Sequence, residues 1–167
     1  MKQIALTQGQ VALVDDEDFE RLNQYKWCAH FQPNRANGGS FNAVRNGKVD
    51  GKFFTVLMHR EIVNAPNNKQ VDHKDRDSLN NQKSNLRLAD HSQNGMNRGL
   101  HKNNSSGYKG VYFRKDRDRF MARIKKNGRV ISLGCYQTAA EAAHKYNEAA
   151  VELFGEFAVA NEIQEGK

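Results

Sequence analysis

The chain has 167 residues, with 26 Lys and Arg against 19 Asp and Glu and a formal net charge of +7. That length holds one compact domain or two small ones, of which two is the expectation here, and the charge favours a polyanionic partner. No apolar run is long enough for a membrane helix, and the opening MKQIALTQGQ lacks the continuous hydrophobic stretch of a secretory signal, so a cytoplasmic location is expected.

In chain order, residues 4–14 predict two short strands around a polar turn. Residues 15–25 predict a short helix whose acidic start suits the positive end of the helix dipole. Residues 27–31 and 41–45 read as strands flanking the loop QPNRANGGS, and the run from Phe53 starts strand-like and turns helical near Met58. This opening is a small mixed α+β scaffold with Trp27, Phe31, Phe41 and Phe54 as its expected core. The two cysteines, Cys28 and Cys135, lie far apart with no CxxC to hold a structural zinc, and read as buried free thiols.

The segment VDHKDRDSLNNQKSNLRLADHSQNGMN, residues 71–97, carries the chemistry. VDH reads as a strand end, KDRDSLNNQKSN as a long polar turn, LRLA as the returning strand, and DHSQNGMNR as a helix capped by Asp90, which together make a β-hairpin packed on a helix. Asp72 supplies a hard anionic oxygen and His73 an imidazole that takes a proton near neutral pH, as metal-assisted phosphodiester hydrolysis requires. Adjacent strand side chains point to opposite faces, so both serve one phosphate only where the strand is ending. Asn94, one turn into the helix, is placed to complete a carboxylate-plus-amide pair of oxygen ligands for Mg2+ or Mn2+.

The runs LMHR, VDHKD, NN, SNLRLAD and SQNGMN, spanning about 56–97, resemble the HNH homing endonucleases with their ββα-metal motif, in the variant whose last motif position is Asn. The resemblance implies that Asp72 and Asn94 hold one divalent metal, that His73 is the general base, and that Asn85 organises the loop. Asn81 competes with Asn85 for that last role. His59 either supports the site, from behind or on a phosphate, or is a packed structural histidine. Arg87 either neutralises a phosphate or salt-bridges Asp90 or Asp75. His91, His101 and His144 read as surface or packing residues.

After Gly99, HKNNSSG reads as a linker or a DNA-tracking arm. Between Arg98 and Arg129 stand eleven Lys and Arg against two Asp. Three strands and a helix follow, marked by the hairpin pair Asn127-Gly128, a capping box of Thr138 with Glu141, helical spacing of Ala142, Tyr146, Ala150 and Leu153, and a stop at Gly155. Alternation puts Val111, Phe113, Phe120, Ala122, Ile124, Ile131 and Leu133 inward, and Tyr112, Arg114, Arg119, Arg123, Lys125, Val130 and Ser132 outward, leaving a basic face. YKGVYFR, RFMARI, SLGCYQTAAEAAHKYNEAA and LFGEFAVAN resemble the Apetala or ethylene-response-factor type DNA-binding domain over about 105–161. That resemblance implies DNA contact through the outward positions of the first two strands, here Tyr112, Arg114, Arg123 and Lys125. Val130 and Ser132 stand where the plant domains carry Arg and Trp, so the plant target sequence does not transfer.

The expectation is an α+β chain with a nuclease domain at 1–99, a linker at 100–106 and a DNA-binding domain at 107–162. It is expected to act on double-stranded DNA as a free-standing, phage-type homing endonuclease using one Mg2+ or Mn2+ per active site, as a monomer or a dimer. Arg119 and Lys102 complete the expected DNA contacts. A non-catalytic DNA-binding regulator and a defence or restriction nuclease are the alternatives.

Overall fold

In the computed structural model, β1 (Lys2–Ala5) and β2 (Val11–Val14) pair antiparallel around a 3-10 turn at Thr7–Gly9. Ile4, Ala12 and Val14 share the buried face, as two-residue alternation dictates. Helix α1 (Asp16–Asn23) adds Leu22 to that core, and the indole of Trp27 follows it inside, with Nε1 donating to the Leu22 carbonyl at 2.9 Å. The single polar atom of the largest buried side chain is thereby satisfied. β3 (Cys28–Gln32), β4 (Ser40–Val49) and β5 (Lys52–Leu57) form an antiparallel sheet in the order β3-β4-β5. α2 (Met58–Ile62) continues directly from β5, and a hairpin of β6 (Gln70–His73) and β7 (Leu86–Ala89) brings Leu86 against Met58, Ile62 and Ala43 in one core. Each large side chain buried there contributes roughly 1.5–3 kcal/mol.

The structure describes residues 1–33, 38–90, 93, 96, 97, 99, 100 and 104–163, and separates into two units, Met1–His91 and Ser92–Lys167. The helix expected after Ala89 falls largely outside the described residues, as do Asn94, Lys102, His91 and His101. Two core expectations are corrected. Phe31 and Phe54 are 46% and 38% exposed, the first tilted against Phe41 at 5.2 Å and the second lying over Gly47, because the core reaches only the Ala43 and Val56 end of the β4–β5 ribbon. β4 also runs on to Val49 and turns at Asp50-Gly51, both at positive φ, an Asp-Gly hairpin signal that the sequence carries in plain view. Cys28 and Cys135 are free, as expected, but half-buried rather than buried.

In the second unit, β8 (Val111–Arg114), β9 (Arg119–Lys126) and β10 (Arg129–Tyr136) form an antiparallel sheet in the order β10-β9-β8. Asn127 and Gly128, at φ 50° and 79°, make the tight turn between β9 and β10. α3 (Ala139–Phe154) starts in the expected capping box, with the Glu141 amide donating to Thr138 Oγ1 at 3.2 Å and the Thr138 amide donating back to Glu141 Oε2 at 3.3 Å. It buries Ala142, Ala143, Tyr146 and Ala150 against the sheet, and His144 is exposed. The register shifts between Ser132 and Gly134, so Leu133 bulges out of the ladder while still packing in the core. Phe113 and Ile131 face inward yet remain 41% and 39% exposed, because alternation fixes the face but not the reach of the covering helix.

Gly110 shows how closely helix and sheet approach. Its φ is 76°, and a Cβ there would stand 2.1 Å from the Tyr146 ring. Gly110→Ala therefore combines left-handed strain with overpacking, and is expected to cost about 1–3 kcal/mol or more, lowering Tm by on the order of 10 °C for a domain of this size. An unchanged melting transition of the second unit would contradict this packing.

Candidate active site and nucleic-acid face

Strand β6 ends at His73, and the backbone turns away through Arg76 at φ 69°. Across the hairpin Asp72 stands opposite Arg87 and His73 opposite Leu86. Cross-strand pairing explains the first contact: Arg87 Nε and Nη2 reach Asp72 Oδ2 at 2.8 and 2.7 Å, with both side chains about nine-tenths buried. Arg87 is thus paired with Asp72, the expected metal ligand, among its contacts.

His73 Nε2 lies 3.3 Å from Asn81 Oδ1, and both residues are buried, Asn81 to 1% exposure. The Asn81 amide is oriented by its own Nδ2, which donates to the Leu79 carbonyl at 3.2 Å. That leaves Oδ1 toward the imidazole, where it accepts from Nε2 in the tautomer protonated there. Asn85 serves the loop instead. Its Oδ1 accepts from the Asp75 amide at 3.0 Å, and its Nδ2 donates to Asp75 Oδ1 at 2.9 Å and the Asn80 carbonyl at 2.8 Å. The two asparagines that compete in sequence therefore make different contacts, one to the imidazole and one to the turn.

His59, in the first turn of α2, packs edge-on against His73 with ring centroids 5.2 Å apart. Its Nδ1 is buried without a hydrogen-bond partner among the described residues. α2 is pinned by Glu61, which accepts from Arg45 at 3.0 Å and Arg21 at 3.3 Å, and by Arg60, whose guanidinium donates to the Lys69, Ala65 and Pro66 carbonyls. Burial pushes His59 down to about 3, helped by His73 and Arg60, so its imidazole is neutral at physiological pH. Burial also lowers His73, against the opposing pull of the Asn81 hydrogen bond and of Asp75, Asp72 and Asp77. A lowered value keeps that imidazole in the proton-accepting form at neutral pH.

Among the described residues no group of three His, Cys, Asp or Glu could enclose a metal ion. Of the two expected ligands, the Asp72 carboxylate is described, and as a buried hard oxygen donor it suits a divalent cation. Soft, closed sites of the zinc type call for sulfur and several imidazoles instead.

The second unit carries the basic face. Tyr112, Arg114, Arg119, Met121, Arg123 and Lys125 point away from α3 on β8 and β9, with Val130 and Ser132 beside them on β10. The Arg123 guanidinium stacks 4.6 Å above the Tyr112 ring, and the Tyr112 hydroxyl donates to Met121 Sδ at 2.7 Å. Arg114 is held by Asp116, with Nε 2.9 Å from Oδ1. Sequence alternation finds the face but not these pairings, which depend on the Lys115–Asp118 turn.

Comparison with known proteins agrees with both halves. The HNH endonuclease family matches residues 64–96, and the AP2 domain family matches residues 106–156. An uncharacterized HNH endonuclease of Acanthamoeba polyphaga mimivirus is 41% identical over 158 residues, covering 93% of this chain and 76% of that protein. A likeness that runs through both units at that identity settles the family: this chain is an HNH endonuclease, a DNA-cleaving enzyme that also carries an AP2 domain.

Proposed function

We propose that the protein is a metal-dependent endonuclease that grips duplex DNA with its second unit and breaks one strand at His73, in the manner of a free-standing homing endonuclease of phage type. The observation that carries this reading is the buried His73, held through Nε2 by Asn81 and flanked by the Asp72–Arg87 pair at a strand end. Nδ1 takes a proton from a water, whose oxygen bonds to phosphorus as the bond from phosphorus to the 3′ oxygen breaks. The departing oxygen takes up a proton, leaving a 5′-phosphate and a 3′-hydroxyl. Asp72 and Asn94 would hold one Mg2+ or Mn2+, and the ion supplies Lewis-acid stabilisation of charge on the phosphate and the leaving oxygen. Asn85 keeps the loop in shape, Arg87 aligns the Asp72 carboxylate and would neutralise a phosphate there, and His59 braces the base edge-on.

One base and one ion per chain cut one strand, so a monomer nicks, and a double-strand break takes a second chain or a second binding event. We divide the labour between a nuclease domain at 1–99, an arm at 100–106 and a DNA-anchoring domain at 107–162. The relative is viral, and we place the enzyme, as one of phage type, in the cytoplasm of a host cell. Incubation with a supercoiled plasmid library, with and without EDTA, followed by sequencing of the new ends, tests the proposal. Open-circular product at recurring sites in Mg2+ and none in EDTA is expected; intact plasmid under all conditions, or cleavage indifferent to EDTA, contradicts it.

The DNA-contact assignments make a further prediction. Arg123→Ala is expected to relax preference at one restricted part of the site, because a mid-strand guanidinium already held by Tyr112 can meet a guanine edge in two hydrogen bonds, worth roughly 1–3 kcal/mol of discrimination. Lys102→Ala is expected to weaken all sequences alike, through lost phosphate contact. Selection of binding sites from random DNA separates them, and an unaltered preference in the Arg123 variant would make the sheet a backbone anchor only.

A further inference from the structure

Asn81 is tied to the opening hairpin through several independent contacts. Its amide N–H donates to the Leu13 carbonyl at 2.8 Å, and the Leu13 N–H donates to the Leu79 carbonyl at 2.9 Å. The same Leu79 carbonyl receives the Asn81 side-chain amide, so the oxygen that orients Asn81 is itself fixed by β2. Two residues further on, Asp15 accepts from Gln82 Nε2 at 3.2 Å and from the Lys83 amide at 2.8 Å. Asp15 occupies the N-cap position of α1 yet makes no side-chain cap there. The carboxylate forgoes that cap and instead holds a loop 67 and 68 residues away in sequence.

We propose that Asn81 is a positioning residue that fixes the tautomer and ring orientation of His73, and that the Leu13–Asp15 segment of the opening hairpin locks Asn81 in place. The inference rests on the reading of His73 as the base. An imidazole in a buried pocket has two neutral tautomers, and only the one protonated at Nε2 presents Nδ1 as proton acceptor. An acceptor oxygen at Nε2 selects that form, and an amide, unlike a carboxylate, does so without adding charge. Asn81 touches neither the attacking water nor the phosphate in this scheme and acts through His73 alone. A segment that otherwise serves as scaffold therefore becomes part of the catalytic apparatus.

The test combines nitrogen-15 NMR of the imidazoles in the full chain with single-turnover cleavage and DNA binding. The parent protein is expected to show His73 protonated at Nε2. Asn81→Ala should give a mixed or inverted tautomer and a rate lower by roughly 10²-fold, the scale of a misplaced catalytic group, with DNA affinity unchanged. Asp15→Ala should show the same spectral change to a lesser degree, with Asp15→Asn, which keeps one acceptor oxygen, recovering part of the rate. A parent His73 protonated at Nδ1 overturns the proposal even if Asn81→Ala does not fold, and so does a folded Asn81→Ala with parental tautomer and rate. If His73→Ala itself cleaves normally, the base reading fails instead, so the two failures are distinguishable.

Discussion

Replacing His73 by Ala is expected to lower single-turnover cleavage by about 10²–10⁴-fold, the range for a general base, and to leave DNA affinity nearly unchanged. The two effects separate because the base acts only in the chemical step, whereas affinity is spread over many phosphate contacts on a strongly basic chain. His73 is also a poor candidate for a binding residue, since it is only 8% exposed and its Nε2 is engaged by Asn81. Rates measured with enzyme in excess, beside a titration in Ca2+ or without metal, check both halves. A variant that cleaves at a comparable rate in Mg2+ removes the base assignment, and one that loses affinity in step with rate makes His73 a DNA contact.

Asp72→Ala is expected to abolish cleavage and, separately, to destabilise the first unit. The second effect follows from Arg87, whose side chain is 10% exposed and whose guanidinium donates twice to Asp72 Oδ2. Removing one partner of a buried ion pair that is also hydrogen-bonded costs about 3–5 kcal/mol. The companion double variant Asp72→Ala with Arg87→Met removes the buried guanidinium as well. It should recover most of the lost melting temperature and none of the cleavage. Recovery of both would make Asp72 a structural partner of Arg87, and recovery of neither would mean that Arg87 has a further role at the site.

Much of the candidate site's local arrangement was legible because its residues lie close together in sequence. Asp72 and His73 are neighbours at a strand end, and Asn85 lies at the close of the same turn that it organises. The capping box at Thr138, the Asn127-Gly128 turn and the helical face of α3 were equally readable, since caps, turns and 3.6-residue spacing act over a few residues. What escaped the sequence is long-range. Nothing at Leu13 or Asp15 announces a partner at residues 79–83, and Asp15 carries the ordinary signature of a helix start. The pairing of Arg87 with Asp72 follows from a register that only the folded hairpin sets. Phe31 and Phe54 look like core because aromatic residues in strands usually are, but the extent of a core depends on where its covering elements stop.

The oxygen that attacks the phosphate tests the central claim most directly. Cleavage of a susceptible duplex in Mg2+ and water enriched in oxygen-18, followed by mass spectrometry of the ends, is predicted to place one labelled oxygen in the 5′-phosphate and to leave an unlabelled 3′-hydroxyl. An unlabelled 5′-phosphate, a 3′-phosphate end, or a phosphoryl group attached to the protein would contradict hydrolysis by a water activated at His73.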